Sequence, residues 1–262
     1  MQEPSELNFV AVSVGNTRTA VGRFESGSLT STARESNADL DAVVRSISEA
    51  WHAVAGAPGA AIIVAAVDDR FATALISGLE GITGEVYRIG EDLDVPIGTQ
   101  LDPETLTGVD RLLNAAAAYD TFRSACVIVD AGTAVTVDFV DGSGVFQGGA
   151  IAPGAAMQLA ALHDGTAALP EVAFAVPDDG AFGRNTRQAM LQGVFHGIRG
   201  LVWKLVERYA TSYGAFPPVI ATGGDAQAIF GEDELVDRVI PELTLLGIAA
   251  AIRAARGGRP AG

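Results

Sequence analysis

Apolar and polar positions alternate over residues 8–14 in "NFVAVSV", the period of a half-buried strand. The segment "TAVGRF" resumes the alternation after Gly15-Asn16, a dipeptide that tolerates positive φ, so a hairpin is predicted. Residues 38–55 switch to helical spacing, with Leu40, Val43, Val44, Ile47 and Trp51 on one face. The run "AAIIVAAV" reads as a buried strand. A further helix begins near Asp110 and continues through "RLLNAAAAYDTF", its alanines suited to close packing against a neighbour.

The second half repeats this plan. "ACVIVDAGTAVTVDFV" is strand, turn and strand, and "DGSGVFQGGAIAPG" a glycine-rich hairpin and loop. Met190, Val194, Ile198, Leu201, Leu205 and Tyr209 recur three or four apart and predict one long amphipathic helix from Thr186 to about Tyr213. "PPVIATGGDA" then delivers a strand to a Gly-Gly turn and a helix start, and "LTLLGIAAAIRAA" closes the chain as a helix. The pattern predicts a duplicated α/β protein, residues 1–118 and 119–262, with a ligand between the copies. Both copies contain a strand, then x-Gly, then Thr, then a second strand; Ser13 opens the first turn and Asp130 the second.

A chain of 262 residues with 48% hydrophobic positions can bury a large core. No apolar run approaches the roughly 20 residues of a membrane-spanning helix. The nearest, "AVAGAPGAAIIVAAV", is broken by Pro58 and Gly59, and the polar, acidic N-terminus is unlike a signal peptide, which predicts a soluble intracellular protein. A net charge of −15 argues against general affinity for nucleic acid or anionic lipid. Any anion must be held locally, by backbone amides or a few placed cations. The single cysteine, Cys126, lies in an apolar run and reads as a buried small hydrophobe.

Gly15, Gly132, Gly223 and Gly224 each stand where a strand stops, where a missing side chain lets backbone N–H groups approach an anion. One such turn is a plain hairpin; the set, repeated in both halves, points to phosphate binding. Neither GxxxxGK[ST] nor GxGxxG after a strand is present. His52, His163 and His196 have no metal-ligand spacing, with His196 inside a helix and His163 in a loop. Asp68 and Asp69 read as a solvated turn that ends a strand.

Six segments, "VGNT", "GVDRLLNAAAAY", "DAGTAVTVDFV", "GGAIAPG", "GRNTRQAMLQG" and "ATGGDA", occur in the order seen in type III pantothenate kinases, and the chain resembles that family from about residue 9 to residue 250. The family belongs to the superfamily of acetate and sugar kinases, actin and heat-shock chaperones. The resemblance implies two ribonuclease-H-like domains with a ligand cleft between them, a cytoplasmic homodimer, and transfer of the ATP γ-phosphoryl to pantothenate as the first step toward coenzyme A. It also implies a monovalent cation, potassium or ammonium, and magnesium with ATP.

Carried over by residue, Asp110 matches the general base that takes the proton of the pantothenate hydroxyl. Gly108, Val109 and Arg111 complete that substrate segment, the planar Arg111 fork suiting a carboxylate or phosphate. Thr186 matches a substrate-binding threonine, Asp130 the monovalent-cation ligand, and Thr133 a nucleotide contact. Ser13, Val14, Gly15, Asn16 and Thr17 match the first nucleotide turn, and Gly223 and Gly224 an adenosine-side turn. Gly148, Gly149, Pro153 and Gly154 read as structural for their loop. Without the resemblance, Thr186 reads equally as a helix cap, and the alternatives are a helix cap at Asp110 and a turn former at Asp130.

Two departures stand out. The family opens its first motif with an aspartate, and Ser13 brings no charge to hold a divalent ion. The segment Leu101 to Thr107 lacks the family's tyrosine and Asn-Pro. Beside a working kinase these leave two alternatives: a catalytically weakened, ligand-sensing dimer, or a kinase for another hydroxylated acid.

Overall fold

The computed structural model describes residues 7–257; residues 1–6, which carry most of the polar start, lie outside the described residues. The first elements are β1 (Phe9–Val14), β2 (Arg18–Glu25), β3 (Ser28–Ser36), α1 (Leu40–His52), β4 (Ala61–Ala66), α2 (Asp69–Leu79), β5 (Val86–Arg88), β6 (Gly98–Thr99) and α3 (Val109–Phe122). They are followed by β7 (Cys126–Ala131), β8 (Ala134–Val140), β9 (Val145–Pro153), α4 (Ala155–Asp164) and α5 (Thr186–Tyr213). The last are β10 (Val219–Thr222), α6 (Ala226–Phe230), β11 (Arg238–Val239) and α7 (Leu243–Ala255).

Two units result, one holding the chain up to Ile97, Asp102–Thr121 and the chain from Leu243, the other Gly98–Leu101 and Phe122–Glu242. Their sheets share one topology. The first runs β3-β2-β1-β4-β5, and the second, read from the other edge, β9-β8-β7-β10-β11, with β6 added outside β9. In both, the first three strands in sequence pair antiparallel and the remaining two join in parallel. The predicted duplication is therefore a property of the fold.

In the first unit β1 is buried on both faces. Val10, Val12 and Val14 join Ile62 and Val64 beneath Val43, Ile47 and Trp51 of α1 and Leu75 and Leu79 of α2. Phe9 and Ala11 face the other way, with Ile63, Leu113 of α3, and Leu245, Ile248 and Ile252 of α7. That second apolar face explains a difference from the sequence division at residue 118/119. The closing helix α7 belongs with the first unit because it covers a sheet face that would otherwise meet water. A Cβ at Gly247 would lie 2.3 Å from the Leu113 carbonyl, so the glycine permits close approach of α7 to α3.

In the second unit Val127, Val129, Val135, Val137, Val219 and Ala221 pack against Met190, Val194, Ile198, Val202 and Val206 of α5. The α5 boundaries match the predicted ones, with Asn185 as N-cap and Gly214 closing the helix at φ 81°. Its buried seam drifts from the predicted Leu201 and Leu205 to Val202 and Val206. "VFQGGAIAP" is the strand β9 rather than loop. His163 lies in the last turn of α4, not in a loop. Asp68 caps α2 by accepting from the N–H groups of Arg70 and Phe71, so this pair starts a helix rather than forming a solvated turn. Cys126 is fully buried, and burial pushes its thiol up to about 12.

Candidate active site

The duplicated strands place Ser13 and Asp130 in equivalent positions. Each is the penultimate residue of a central strand and half-buried between buried neighbours. Ser13 pairs with Ala20 on β2 and Ala65 on β4; Asp130 pairs with Thr136 on β8 and Thr222 on β10. The turns that follow differ by one residue. Gly15 N–H donates to the Arg18 carbonyl (3.0 Å), whereas Gly132 N–H donates to that of Ala134 (2.9 Å), so Asn16 is the extra residue. Neither Gly15 nor Gly132 has positive φ, contrary to the sequence expectation for Gly15-Asn16. Close packing is the better reason for Gly15, since a Cβ there would sit 3.1 Å from the Arg18 carbonyl.

Both turns are held from the third strand. Asn37 N–H donates to the Thr17 carbonyl and Gly154 N–H to the Thr133 carbonyl, each at 3.0 Å. Residue 154 must be glycine, because a Cβ would lie 2.0 Å from the Gly132 carbonyl and 2.6 Å from that of Thr133. This gives the "GGAIAPG" segment a structural role and leaves Asn16, Thr17 and Thr133 exposed.

In the second unit Gly223 closes on Asp130. Its φ is +100°, and a Cβ would lie 2.4 Å from the Asp130 Oδ1 and 2.3 Å from the Ala131 carbonyl. Asp225 N–H donates to that same carbonyl at 2.9 Å. Asp130, Thr133, Gly223 and Gly224 are thus gathered where β7 and β10 end, with Gly224 open to its surroundings. Thr136 lies beside Asp130 on β8, and its Oγ1 is buried without a hydrogen-bond partner. Among the described residues no group of three or more His, Cys, Asp or Glu side chains is placed to hold a metal ion.

Asp110 and Arg111 lie in the first turn of α3, in the first unit. Asp110 is inside the helix rather than its cap. Its Oδ1 accepts from the Arg111 N–H at 2.8 Å. Burial pushes the Asp110 carboxyl above the usual carboxylate range, and the Arg111 N–H and guanidinium oppose that rise. A Cβ on residue 108 would lie 2.6 Å from Oδ1, so Gly108 provides the space this carboxylate occupies. A carboxylate moved toward neutral pH accepts a proton more readily than an ordinary aspartate, as general-base chemistry requires.

Thr186 is the exposed first residue of α5. The capping role belongs to Asn185, whose side chain accepts from the Gln188 N–H at 2.9 Å. The hydroxyl of Thr186 is therefore not consumed as the helix cap. A cavity of about 690 Å³ lined by Gln192, His196, Arg199 and Glu232 contains none of the predicted site residues, which lie at strand ends, turns and helix starts instead. Asn37 and Thr136 escaped sequence reading; only the repeat register, which aligns Asn37 with Gly154, carries a signal for the first.

The family model for type III pantothenate kinase matches residues 9–208. A type III pantothenate kinase from Rhodospirillum rubrum is 42% identical over 161 residues, covering 61% of this chain and 62% of its own length. One from Dehalococcoides mccartyi strain CBDB1 is 34% identical over 250 residues, covering 91% of this chain and 93% of its own length. Among solved structures, a conserved Baf family protein from Campylobacter jejuni superposes with a TM-score of 0.64 at 18% identity, over 95% of this chain and 99% of that one. An archaeal actin homologue gives a TM-score of 0.51 at 10% identity over 95% and 100%, so the duplicated ribonuclease-H-like fold is of the actin type.

Proposed function

This chain belongs to the type III pantothenate kinase family, and from that premise we propose that it transfers the γ-phosphoryl of ATP to the pantothenate hydroxyl, yielding 4′-phosphopantothenate for coenzyme A synthesis. The observation that carries the reading is Asp110, seated by Gly108 at the start of α3 with its carboxyl raised by burial. Asp110 takes the hydroxyl proton as the oxygen–phosphorus bond forms and the bond from the γ-phosphorus to the bridging oxygen breaks, leaving ADP. Positioning and charge neutralisation supply most of the rate in such transfers. Arg111, flanked by Gly108 and Val109, contacts the substrate with a planar fork suited to a carboxylate or a phosphate. The phosphates are met by Ser13 to Thr17, Thr133, Gly223 and Gly224.

Asp130 is the ligand for a monovalent cation, potassium or ammonium. The fit is supported by its carboxylate in the Gly223 cradle and the partnerless Thr136 hydroxyl beside it. Such a cation would neutralise phosphate charge there. Magnesium accompanies ATP, and Ser13 offers a hydroxyl to a metal-held water or phosphate oxygen. The family reading implies a homodimer in which Thr186, exposed at the start of α5, reaches the partner's pantothenate. No helix among the described residues is long and apolar enough to cross a membrane; a cytoplasmic site of action is part of the family reading.

The test is phosphorylation of radiolabelled pantothenate with magnesium-ATP and saturating potassium or ammonium. Turnover by the natural protein and none by Asp110→Asn is expected; equal turnover by both would end the assignment of the base. A second reading, a weakened ligand-sensing dimer, is favoured by Ser13 alone. It predicts that only Ser13→Asp turns over.

A further inference from the structure

Asn37 follows β3 and is half-buried, and nothing above assigns it a function. Its Nδ2 donates to the Gly15 carbonyl at 2.8 Å, its Oδ1 accepts from the Thr19 hydroxyl at 2.8 Å, and its backbone N–H donates to the Thr17 carbonyl at 3.0 Å. Thr19 is fully buried, so the carboxamide is anchored from inside the sheet. One residue thus holds carbonyls on both sides of Asn16.

The peptide unit is planar and trans, so a carbonyl and the next N–H point in opposite directions. With the Gly15 carbonyl drawn onto Asn37, the Asn16 N–H is directed away from Asn37. Residues 16 and 17 are exposed at that point. The second unit needs no such side chain. Its turn is one residue shorter, and Gly154, the equivalent of Asn37, uses only its backbone N–H. The longer first turn has an additional peptide to orient, and the Asn37 carboxamide orients it. The turn also lacks the carboxylate that Asp130 supplies to its counterpart, and with it a ligand for a cation that could bridge to phosphate, so more of the phosphate binding is left to backbone amides.

We propose that Asn37 is a positioning residue for nucleotide binding, fixing the Gly15–Asn16 peptide so that the Asn16 N–H meets a phosphate oxygen. The inference rests on the reading of residues 13–17 as a nucleotide turn. Asn37→Asp keeps the acceptor for Thr19 but places an oxygen where the Gly15 carbonyl needs a donor. Asn37→Gly reproduces the arrangement at Gly154.

The experiment titrates ADP with magnesium into the full chain by calorimetry, for the natural protein and both variants, with KM for ATP and for pantothenate measured alongside. Both variants should raise the ADP Kd and the ATP KM about tenfold, about 1.4 kcal/mol, with pantothenate KM within about twofold. ADP binding by the variants within about twofold of the natural protein overturns the proposal, whatever their thermal midpoints. So does an equal rise in both KM values, or loss of folding in both variants, either of which marks Asn37 as a structural pin. No ADP binding by the natural protein would instead bring down the nucleotide-turn reading, and this inference with it.

Discussion

Replacing Gly108 by alanine separates the proposed base, Asp110, from the scaffold that carries it. The added methyl would start 2.6 Å from the Asp110 Oδ1, and ordinary contact begins at 3.4 Å, so the carboxylate must retreat by about 0.8 Å. Only the end of a side chain has to move, and Gly108 is not at positive φ, so folding stability should change by less than about 1 kcal/mol. Catalysis is less forgiving. A displacement of about 1 Å in a reacting group can cost about a hundredfold, so kcat should fall by about ten- to a hundredfold. Retreat also weakens the bond from the Arg111 N–H, which holds the carboxyl down. The acid limb of kcat/KM, which rises as the base ionises, should therefore move to higher pH. Steady-state rates from acid to neutral pH, with a urea titration, measure both. An unchanged kcat and acid limb in a folded variant would refute the idea that Gly108 seats the base.

The raised Asp110 carboxyl also makes a prediction about stability. Because the folded state binds this proton more tightly than the unfolded chain, stability is lost as pH rises from the ordinary aspartate value through the raised one. Asp110→Asn should be inactive yet more stable at neutral pH, with an advantage that vanishes on acidification; urea midpoints at several pH values test this. At the start of α5, Asn185→Ala should lower stability by about 1 kcal/mol. Thr186→Ala should leave stability within about 0.5 kcal/mol and raise pantothenate KM, as paired denaturation and kinetic assays would reveal. Cys126, buried with its thiol pushed up to about 12, should resist alkylation until the protein unfolds, so its labelling rate should follow urea-induced unfolding.

Strongly periodic segments were legible in the sequence. β2, β8 and the helix α5 follow from alternation and helical spacing, because one face of each is the more buried, and β1 and β7 follow from apolar runs buried on both faces. β3 was not legible: it is polar on both sides, largely exposed, and exists because β2 offers it a ladder. α2 was hidden because Asp68 has the same appearance as a turn former and as a helix cap. Glycines at strand ends marked the turns after β1, β7 and β10, but the closing of Gly223 on Asp130 shows only in the fold. The space that Gly108 leaves for Asp110, and the grip of Asn37 on a turn 22 residues away, are contacts that no local pattern encodes.

The placement of α7 bears on how the protein is made. Its apolar side supplies Leu245, Ile248 and Ile252 to the face of the first sheet that also receives Phe9 and Ile63. During synthesis that face is covered only in part, by Leu113 of α3, until Leu243–Ala255 has left the ribosome, although its strands are among the earliest segments to emerge. The second unit draws on Gly98–Leu101 and Phe122–Glu242 and can finish sooner. Maturation should thus run against the order of translation, with the N-terminal sheet exposed longest to chaperones and to aggregation.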